Sequence, residues 1–213
     1  MISLKLLEKD LPKGFFIGAN TVFGKSATGK TTLCIESAIT ALKGGKKAVF
    51  VDTEGSFSFD RAKQLGLLEE FLEDLILLSP KSFFEQEECL IRLSKSKIPN
   101  LGIIIIDTIG KFYRLQARKE FSHANDSLKR QLMIIKKVSK SLNIPIILAN
   151  QVYTDIETGK TKMLADKIME RESDLLIELV KDEKRKLIFK KPFPKEIGFE
   201  IVSSGLVESY LKG

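Results

Sequence analysis

The residues with the clearest chemistry run from Gly24 to Thr31 and have the sequence Gly-Lys-Ser-Ala-Thr-Gly-Lys-Thr. A glycine, four residues and then Gly-Lys-Thr is the spacing of a phosphate-binding P-loop. Backbone N–H groups of such a turn point at an anion, the lysine adds a cation, and the threonine hydroxyl is a ligand for Mg²⁺. The pattern therefore predicts a nucleotide site. The residues expected to bind the nucleotide are Gly24, Lys25, Ser26, Ala27, Thr28, Gly29, Lys30, Thr31 and Thr32.

Three further polar side chains follow segments that favour buried strands. Glu54 lies two residues after Asp52, Asp107 directly follows four isoleucines, and Gln151 comes two residues after Ala149. Ligands of parallel sheets bind beyond the carboxyl ends of the strands, where the P-loop also lies. We therefore expect these side chains to meet at the nucleotide.

Each of these side chains suits one task in phosphoryl transfer. Asp107 has the position of a Walker B aspartate and would hold Mg²⁺ together with Thr31. Glu54 would be the general base for the attacking water, while Gln151 would sense the γ-phosphate. Lys30 would stabilise the transferred phosphoryl group. We therefore predict that Glu54, Lys30 and Gln151 are catalytic and that Thr31 and Asp107 are metal ligands.

The elements that must position these residues alternate between strand and helix, which predicts an α/β fold with a mostly parallel central sheet flanked by helices. Strands are predicted at 15–23, 47–52, 75–78, 102–107 and 145–149. Helices are predicted at 31–42, 59–65, 82–94 and 124–142. Strand-like segments at 174–180, 185–190 and 197–203 follow one another without helices, which predicts a C-terminal antiparallel extension.

Composition sets the remaining bounds. We expect residues 1–213 to form a single domain, with residues 1–13 as a short N-terminal lead-in. No apolar run is long enough to cross a membrane. Cys34 and Cys89 lack metal-ligand spacing and are expected to be free thiols, which favours the cytoplasm, and His123 is expected at the surface. The net charge of +7 leaves a polyanionic partner and other partners equally open.

Three segments together resemble a known family. They are Val-Phe-Val-Asp-Thr-Glu-Gly at 49–55, Ile-Asp-Thr at 106–108 and Ala-Asn-Gln-Val-Tyr-Thr-Asp at 149–155. They resemble the core of RecA-type recombinases and most closely the archaeal RadB paralogues of RadA. The resemblance covers nearly the whole chain, although 162–166 departs from the Pro-Leu-Gly-Gly segment that family members commonly have there.

The resemblance implies a RecA-like P-loop NTPase core without the extra N-terminal DNA-binding domain of RadA. RadB-like proteins bind DNA, hydrolyse ATP weakly with Mg²⁺, and are thought to assist homologous recombination and DNA repair through RadA and other repair proteins. By this analogy the segment after Asp107 is the first DNA-facing loop and Gln151 opens the second. A homo-oligomer is left open.

Basic residues near both loops are candidates for DNA. Cations and aromatic rings alternate after Asp107, which suits sequence-tolerant binding of single strands. The alternative is the start of a solvated helix with Phe112 and Tyr113 in the core. The residues predicted to bind DNA are Lys111, Tyr113, Arg114, Arg118, Lys160 and Lys162.

The segment 181–195 holds seven basic residues and two acidic ones. A DNA-binding stripe, a contact to a neighbouring subunit's nucleotide, and an edge strand kept from aggregating by lysine all fit this pattern.

A function of another class also fits the motifs. In a regulatory nucleotide-binding module, KaiC-like or a switch for a protein partner, ATP would change affinity with little turnover and no dedicated DNA role. The same phosphate-binding residues serve both functions, so the sequence leaves the alternative open.

Overall fold

A computed structural model of the protein describes residues 4–155, 159 and 161–209. Eleven strands occur in these residues: β1 Gly18–Gly24, β2 Lys47–Asp52, β3 Leu75–Leu78, β4 Leu101–Asp107, β5 Pro145–Asn150, β6 Val152–Thr154, β7 Thr161–Met163, β8 Leu175–Lys181, β9 Arg185–Lys191, β10 Lys195–Val202 and β11 Gly205–Glu208. The α-helices of the same residues are α1 Lys30–Lys43, α2 Phe59–Gln64, α3 Phe83–Lys95, α4 Gly110–Ala117, α5 Phe121–Leu142 and α6 Asp166–Glu172. Two 3-10 helices cover Lys5–Leu7 and Glu69–Asp74.

Nine of the described strands form one sheet in the order β11-β10-β9-β8-β1-β5-β4-β2-β3. All pairs from β3 to β8 are parallel, and β9, β10 and β11 continue the sheet in antiparallel pairing. The predicted α/β class, the mostly parallel sheet and the antiparallel extension are therefore confirmed. β6 and β7 form a separate small hairpin beyond β5, which the sequence did not predict.

Helices bury both faces of the parallel part. Ile103 and Ile105 of β4 pack in the cluster that contains α1, whereas Ile104 and Ile106 pack in the cluster that contains α3 and α5. Because successive side chains of a strand point to opposite faces, four consecutive isoleucines are buried only when both faces are covered. No helix of the described ranges is long and apolar enough to cross a bilayer.

The segment after Asp107 follows the second of its two predicted interpretations. Instead of an open loop it forms helix α4, which is held against α5 by the buried side chains of Phe112 and Tyr113. Helix α6 is a further element that the sequence did not predict, because its seven residues carry too short a pattern to reveal a period.

The P-loop helix α1 is tied to the turn between β10 and β11. Glu36 of α1 accepts a hydrogen bond from the backbone N–H of Leu206 at 2.7 Å. Gly205 has φ +127°, and a Cβ there would lie 1.5 Å from Glu36 Oε1, so only glycine fits. Burial raises the pKa of Glu36 to about 7, although the Leu206 N–H and the positive charge of Arg61 oppose the shift.

The raised pKa of Glu36 predicts how stability depends on pH. An unfolded glutamate has a pKa near 4.5, so between about pH 5 and pH 7 the folded state binds more protons and stability falls as pH rises. Relative to Glu36→Gln, the wild type should lose up to about 3 kcal/mol of unfolding free energy from pH 5 to pH 8. Urea denaturation of both proteins across this range measures the difference. Parallel pH profiles would contradict the prediction.

Candidate functional site

The P-loop joins β1 to α1 at the carboxyl edge of the parallel strands. Gly24 ends β1 so close to β8 that a Cβ would lie 2.2 Å from the carbonyl oxygen of Leu179. Lys30 begins α1, and its ammonium donates hydrogen bonds to the carbonyl oxygens of Gly24 and Lys25, both at 2.8 Å. Burial lowers the pKa of Lys30, while the carboxylates of Asp107 and Glu54 oppose that shift.

Thr31 and Asp107 meet at the base of the P-loop. The Thr31 hydroxyl donates to Asp107 Oδ2 at 2.7 Å, and Asp107 is only 1% exposed. Burial raises the pKa of Asp107 to about 6; the Thr31 hydroxyl opposes this, and the charge of Glu54 adds to it.

This pair fits Mg²⁺ by the chemistry of its donors, one hydroxyl and one carboxylate beside the phosphate-binding turn. Among the described residues no group of three or more His, Cys, Asp or Glu side chains forms a cage for a metal. Mg²⁺ commonly keeps water ligands and takes others from nucleotide phosphates, so one hydroxyl and one carboxylate are enough donors from the protein.

Glu54 lies exposed at the end of β2, with its carboxylate directed to the residues after β4 and β5. Its Oε1 accepts a hydrogen bond from the Thr108 hydroxyl at 3.0 Å and another from Gln151 Nε2. The side chains predicted to be the general base and the γ-phosphate sensor therefore contact each other directly.

Asp52 determines the path of the chain on the far side of Glu54. Its carboxylate accepts hydrogen bonds from the backbone N–H groups of Gly55 at 2.8 Å, Ser56 at 3.1 Å and Phe57 at 3.0 Å. The sequence places Asp52 at a strand end but does not reveal this role. An aspartate three to five residues before a Gly-Ser turn is the signal that could have found it.

Thr53 and Thr108 join the ends of β2 and β4. The Thr53 hydroxyl donates to the Thr108 carbonyl oxygen at 2.9 Å and accepts from the Thr108 N–H at 2.8 Å. The Thr53 N–H donates to the carbonyl oxygen of Asp107 at 2.9 Å. These bonds make the segments that carry Glu54 and Asp107 one connected unit.

Most of the residues predicted to bind nucleotide or metal or to be catalytic line one cavity of about 480 Å³. Thr28 is the exception, because it is buried behind the turn with its hydroxyl donating to the carbonyl oxygen of Lys25. Five residues outside the sets predicted to bind nucleotide, to bind metal or to be catalytic also line the cavity: Ser56, Thr108, Arg114, Val152 and Ile201. The residues predicted to bind nucleotide or metal or to be catalytic that line it are Gly24, Lys25, Ser26, Ala27, Gly29, Lys30, Thr31, Thr32, Glu54, Asp107 and Gln151.

The residues predicted to bind DNA are in different surroundings from one another. Tyr113 is 4% exposed and its hydroxyl donates to Asn125 Oδ1 at 2.8 Å, so the predicted stacking of a base on its ring does not fit this structure. Lys111 is half-buried, and its ammonium donates to the carbonyl oxygen of Thr53 at 2.5 Å. Arg114 and Arg118 are exposed on α4 and at its end.

The second predicted DNA-binding segment is described only in part. Lys162 of β7 pairs with Asp155 at 2.5 Å, across the hairpin that β6 and β7 form. Lys160 lies outside the described residues.

The basic segment 181–195 corresponds to β9 and its flanking turns. β9 lies between β8 and β10, so the interpretation as an edge strand protected by lysine is wrong. Lys186 pairs with Glu196, Lys190 with Glu178 and Lys195 with Asp10, while Lys191 donates to the carbonyl oxygen of Ser173. Most of these cations are therefore engaged within the chain.

The contacts of Asp52 predict the effect of removing its carboxylate. In Asp52→Ala, the N–H groups of residues 55–57 lose a charged acceptor, which should lower the free energy of unfolding by about 2 kcal/mol. Amide exchange at these three residues should become faster. Urea denaturation and hydrogen exchange measure both effects, with Glu183→Ala in the exposed β8–β9 turn as the control. Unchanged exchange at residues 55–57 would contradict the prediction.

Comparison with known proteins agrees with this geometry. A sequence model of the family described as Rad51 matches residues 4–191. The chain is 34% identical over 184 residues to the DNA repair and recombination protein RadB of Methanococcoides burtonii, which covers 84% of this chain and 81% of the relative. It is 37% identical over 171 residues to the RadB protein of Thermococcus kodakarensis, covering 78% and 76%.

A solved structure extends the likeness to the whole fold. The crystal structure of the RadB recombinase superposes with a TM-score of 0.79 at 32% identity and covers 97% of this chain and 98% of that one. The similarity to these DNA repair and recombination proteins thus covers most of the chain, including the P-loop, the acids at the strand ends and the antiparallel extension. The protein belongs to the Rad51 family of RecA-like recombinases, and within that family it is of the archaeal RadB type.

Proposed function

We propose that this protein binds ATP with Mg²⁺, hydrolyses the ATP slowly, and binds single-stranded DNA as an accessory to a RadA-type recombinase in repair. Its family supports a role in recombination and repair. The observation that carries the ATPase proposal is the convergence of Lys30, Asp107, Glu54 and Gln151 on one cavity. The free thiols of Cys34 and Cys89 support our proposal of a cytoplasmic location.

In the proposed reaction the chain mainly positions groups, as phosphoryl transfer requires. The P-loop N–H groups and Lys30 would hold the phosphates, and Mg²⁺ on Thr31 and Asp107 would offset the negative charge of the phosphoryl oxygens. Glu54 would orient the attacking water and accept its proton. Because Glu54 is hydrogen-bonded to Thr108 and Gln151, its carboxylate has a defined direction before ATP arrives.

Gln151 offers a route between DNA and ATP. It contacts Glu54 at one end of its side chain, and the β6–β7 hairpin follows it directly. A DNA strand bound at this hairpin would shift Gln151 and thereby change the orientation of Glu54. DNA should then alter the rate of hydrolysis.

Hydrolysis of ATP with and without single-stranded DNA tests this proposal, with Lys30→Ala as the blank. The wild type should turn over ATP slowly and faster with DNA. Glu54→Gln should keep ATP binding but lose about 10²-fold or more in kcat, because a general base typically contributes 10²–10⁴-fold. If wild-type turnover equals the blank while ATP still binds, the protein is a regulatory switch and the proposed ATPase is wrong.

A second experiment tests the DNA contacts of α4. Each phosphate contact to single-stranded DNA contributes about −0.7 to the slope of log K against log salt. Arg114→Ala with Arg118→Ala should therefore weaken binding and reduce the slope by about 1.4 in magnitude. Fluorescence anisotropy with a labelled oligonucleotide at several salt concentrations measures the slope.

The matched control removes the same number of positive charges at another place on the surface. Lys137 and Lys140 are exposed near the end of α5, at the amino edge of the sheet and away from the nucleotide cavity. Lys137→Ala with Lys140→Ala should leave the slope unchanged. If both pairs reduce it equally, the attraction comes from net charge, and the assignment of DNA contacts to α4 is wrong.

A further inference from the structure

We propose that Lys111 is a positioning residue that holds Glu54 in place for ATP hydrolysis. In this role Lys111 does not contact the DNA backbone. The proposal rests on the proposed ATPase function and adds a residue that its motifs do not include. Lys111 lies in the first turn of α4, and its ammonium donates to the carbonyl oxygen of Thr53 at 2.5 Å. Thr53 immediately precedes Glu54.

The contact has the properties of a structural anchor. Thr53 is 3% exposed and is held on its other side by the backbone of residues 107 and 108. An ammonium that donates to a buried carbonyl makes a charge-assisted hydrogen bond, which is stronger than a neutral one. The Lys111 ammonium also lies 5.1 Å from the centroid of the Phe112 ring, whose burial helps to keep α4 in place.

Lys111 is thereby the third residue whose hydrogen bonds fix Glu54 or the backbone next to it. Asp52 orders the chain after it, Thr108 donates to its carboxylate, and Lys111 holds the peptide group before it. Removal of Lys111 should leave the P-loop intact, because the Lys111 ammonium bonds to the Thr53 carbonyl oxygen and lies against the Phe112 ring, not against the phosphate-binding turn. The loss should appear in the chemical step and not in nucleotide binding.

The same helix face connects this anchor to the predicted DNA contacts. Residues 111, 114 and 118 are three and four positions apart, so they lie along one side of α4. Arg114 lines the nucleotide cavity and Arg118 is exposed at the end of the helix. A displacement of α4 by DNA at Arg118 would pull directly on the Thr53 carbonyl through Lys111.

The test compares Lys111→Met, which keeps the length and removes the charge, with Lys111→Arg, which keeps a cationic donor. Lys119→Met, an exposed lysine just beyond α4, is the control. Lys111→Met should lower kcat about tenfold or more with a KM for ATP within about twofold of wild type. Lys111→Arg should recover part of the loss, and the salt slope for single-stranded DNA should stay at the wild-type value in both.

The outcomes separate this inference from the proposed function. Wild-type turnover equal to that of Lys30→Ala overturns the ATPase and the inference with it. Normal wild-type turnover with an unchanged kcat in Lys111→Met overturns the inference alone. A salt slope reduced by about 0.7 identifies Lys111 as a phosphate contact and also overturns it. A rise in KM together with a lower Tm in both variants indicates a general structural role, with the same consequence.

Discussion

The parallel pairing of β1 with β5 on one side and β8 on the other is the constraint on which the rest of the structure depends. It directs the carboxyl ends of the parallel strands to one edge, so the P-loop, Glu54, Asp107 and Gln151 need no long loops to meet. The same pairing leaves no room for a side chain at Gly24, where β8 approaches the backbone. Sheet geometry thus explains both the position of the site and the glycine that begins it.

Proximity alone does not orient a carboxylate, and a second set of interactions does so. The hydrogen bonds between Thr53 and Thr108 join the ends of β2 and β4. On this base, Asp52 orders the chain that follows Glu54 and Lys111 holds the peptide that precedes it. The proposed catalytic unit therefore extends well beyond the residues that motifs identify, to side chains that bond to the backbone around Glu54.

The sequence predicted the features that depend on local patterns. Four isoleucines indicated a doubly covered strand, and the P-loop spacing indicated a strand, a turn and a helix. It could not predict the partners of long side chains: Lys111 and Thr53 are 58 positions apart and meet only because β2 pairs with β4. Tyr113 was ambiguous for the same reason, since a ring on a short helix can face the core or a ligand until the packing of α5 is known.

The basic segment 181–195 and Arg118 show that the number of cations in a segment does not by itself indicate what they bind. The seven cations of 181–195 fitted a DNA-binding stripe among other interpretations, yet three of them pair with carboxylates of the same chain, which lowers the local excess of positive charge. Arg118 directly follows α4 and is exposed, one helical turn from Arg114, which lines the nucleotide cavity. The location of a charge and its contacts therefore matter more than its local density, and α4 is the element that joins the nucleotide cavity to the proposed DNA contacts.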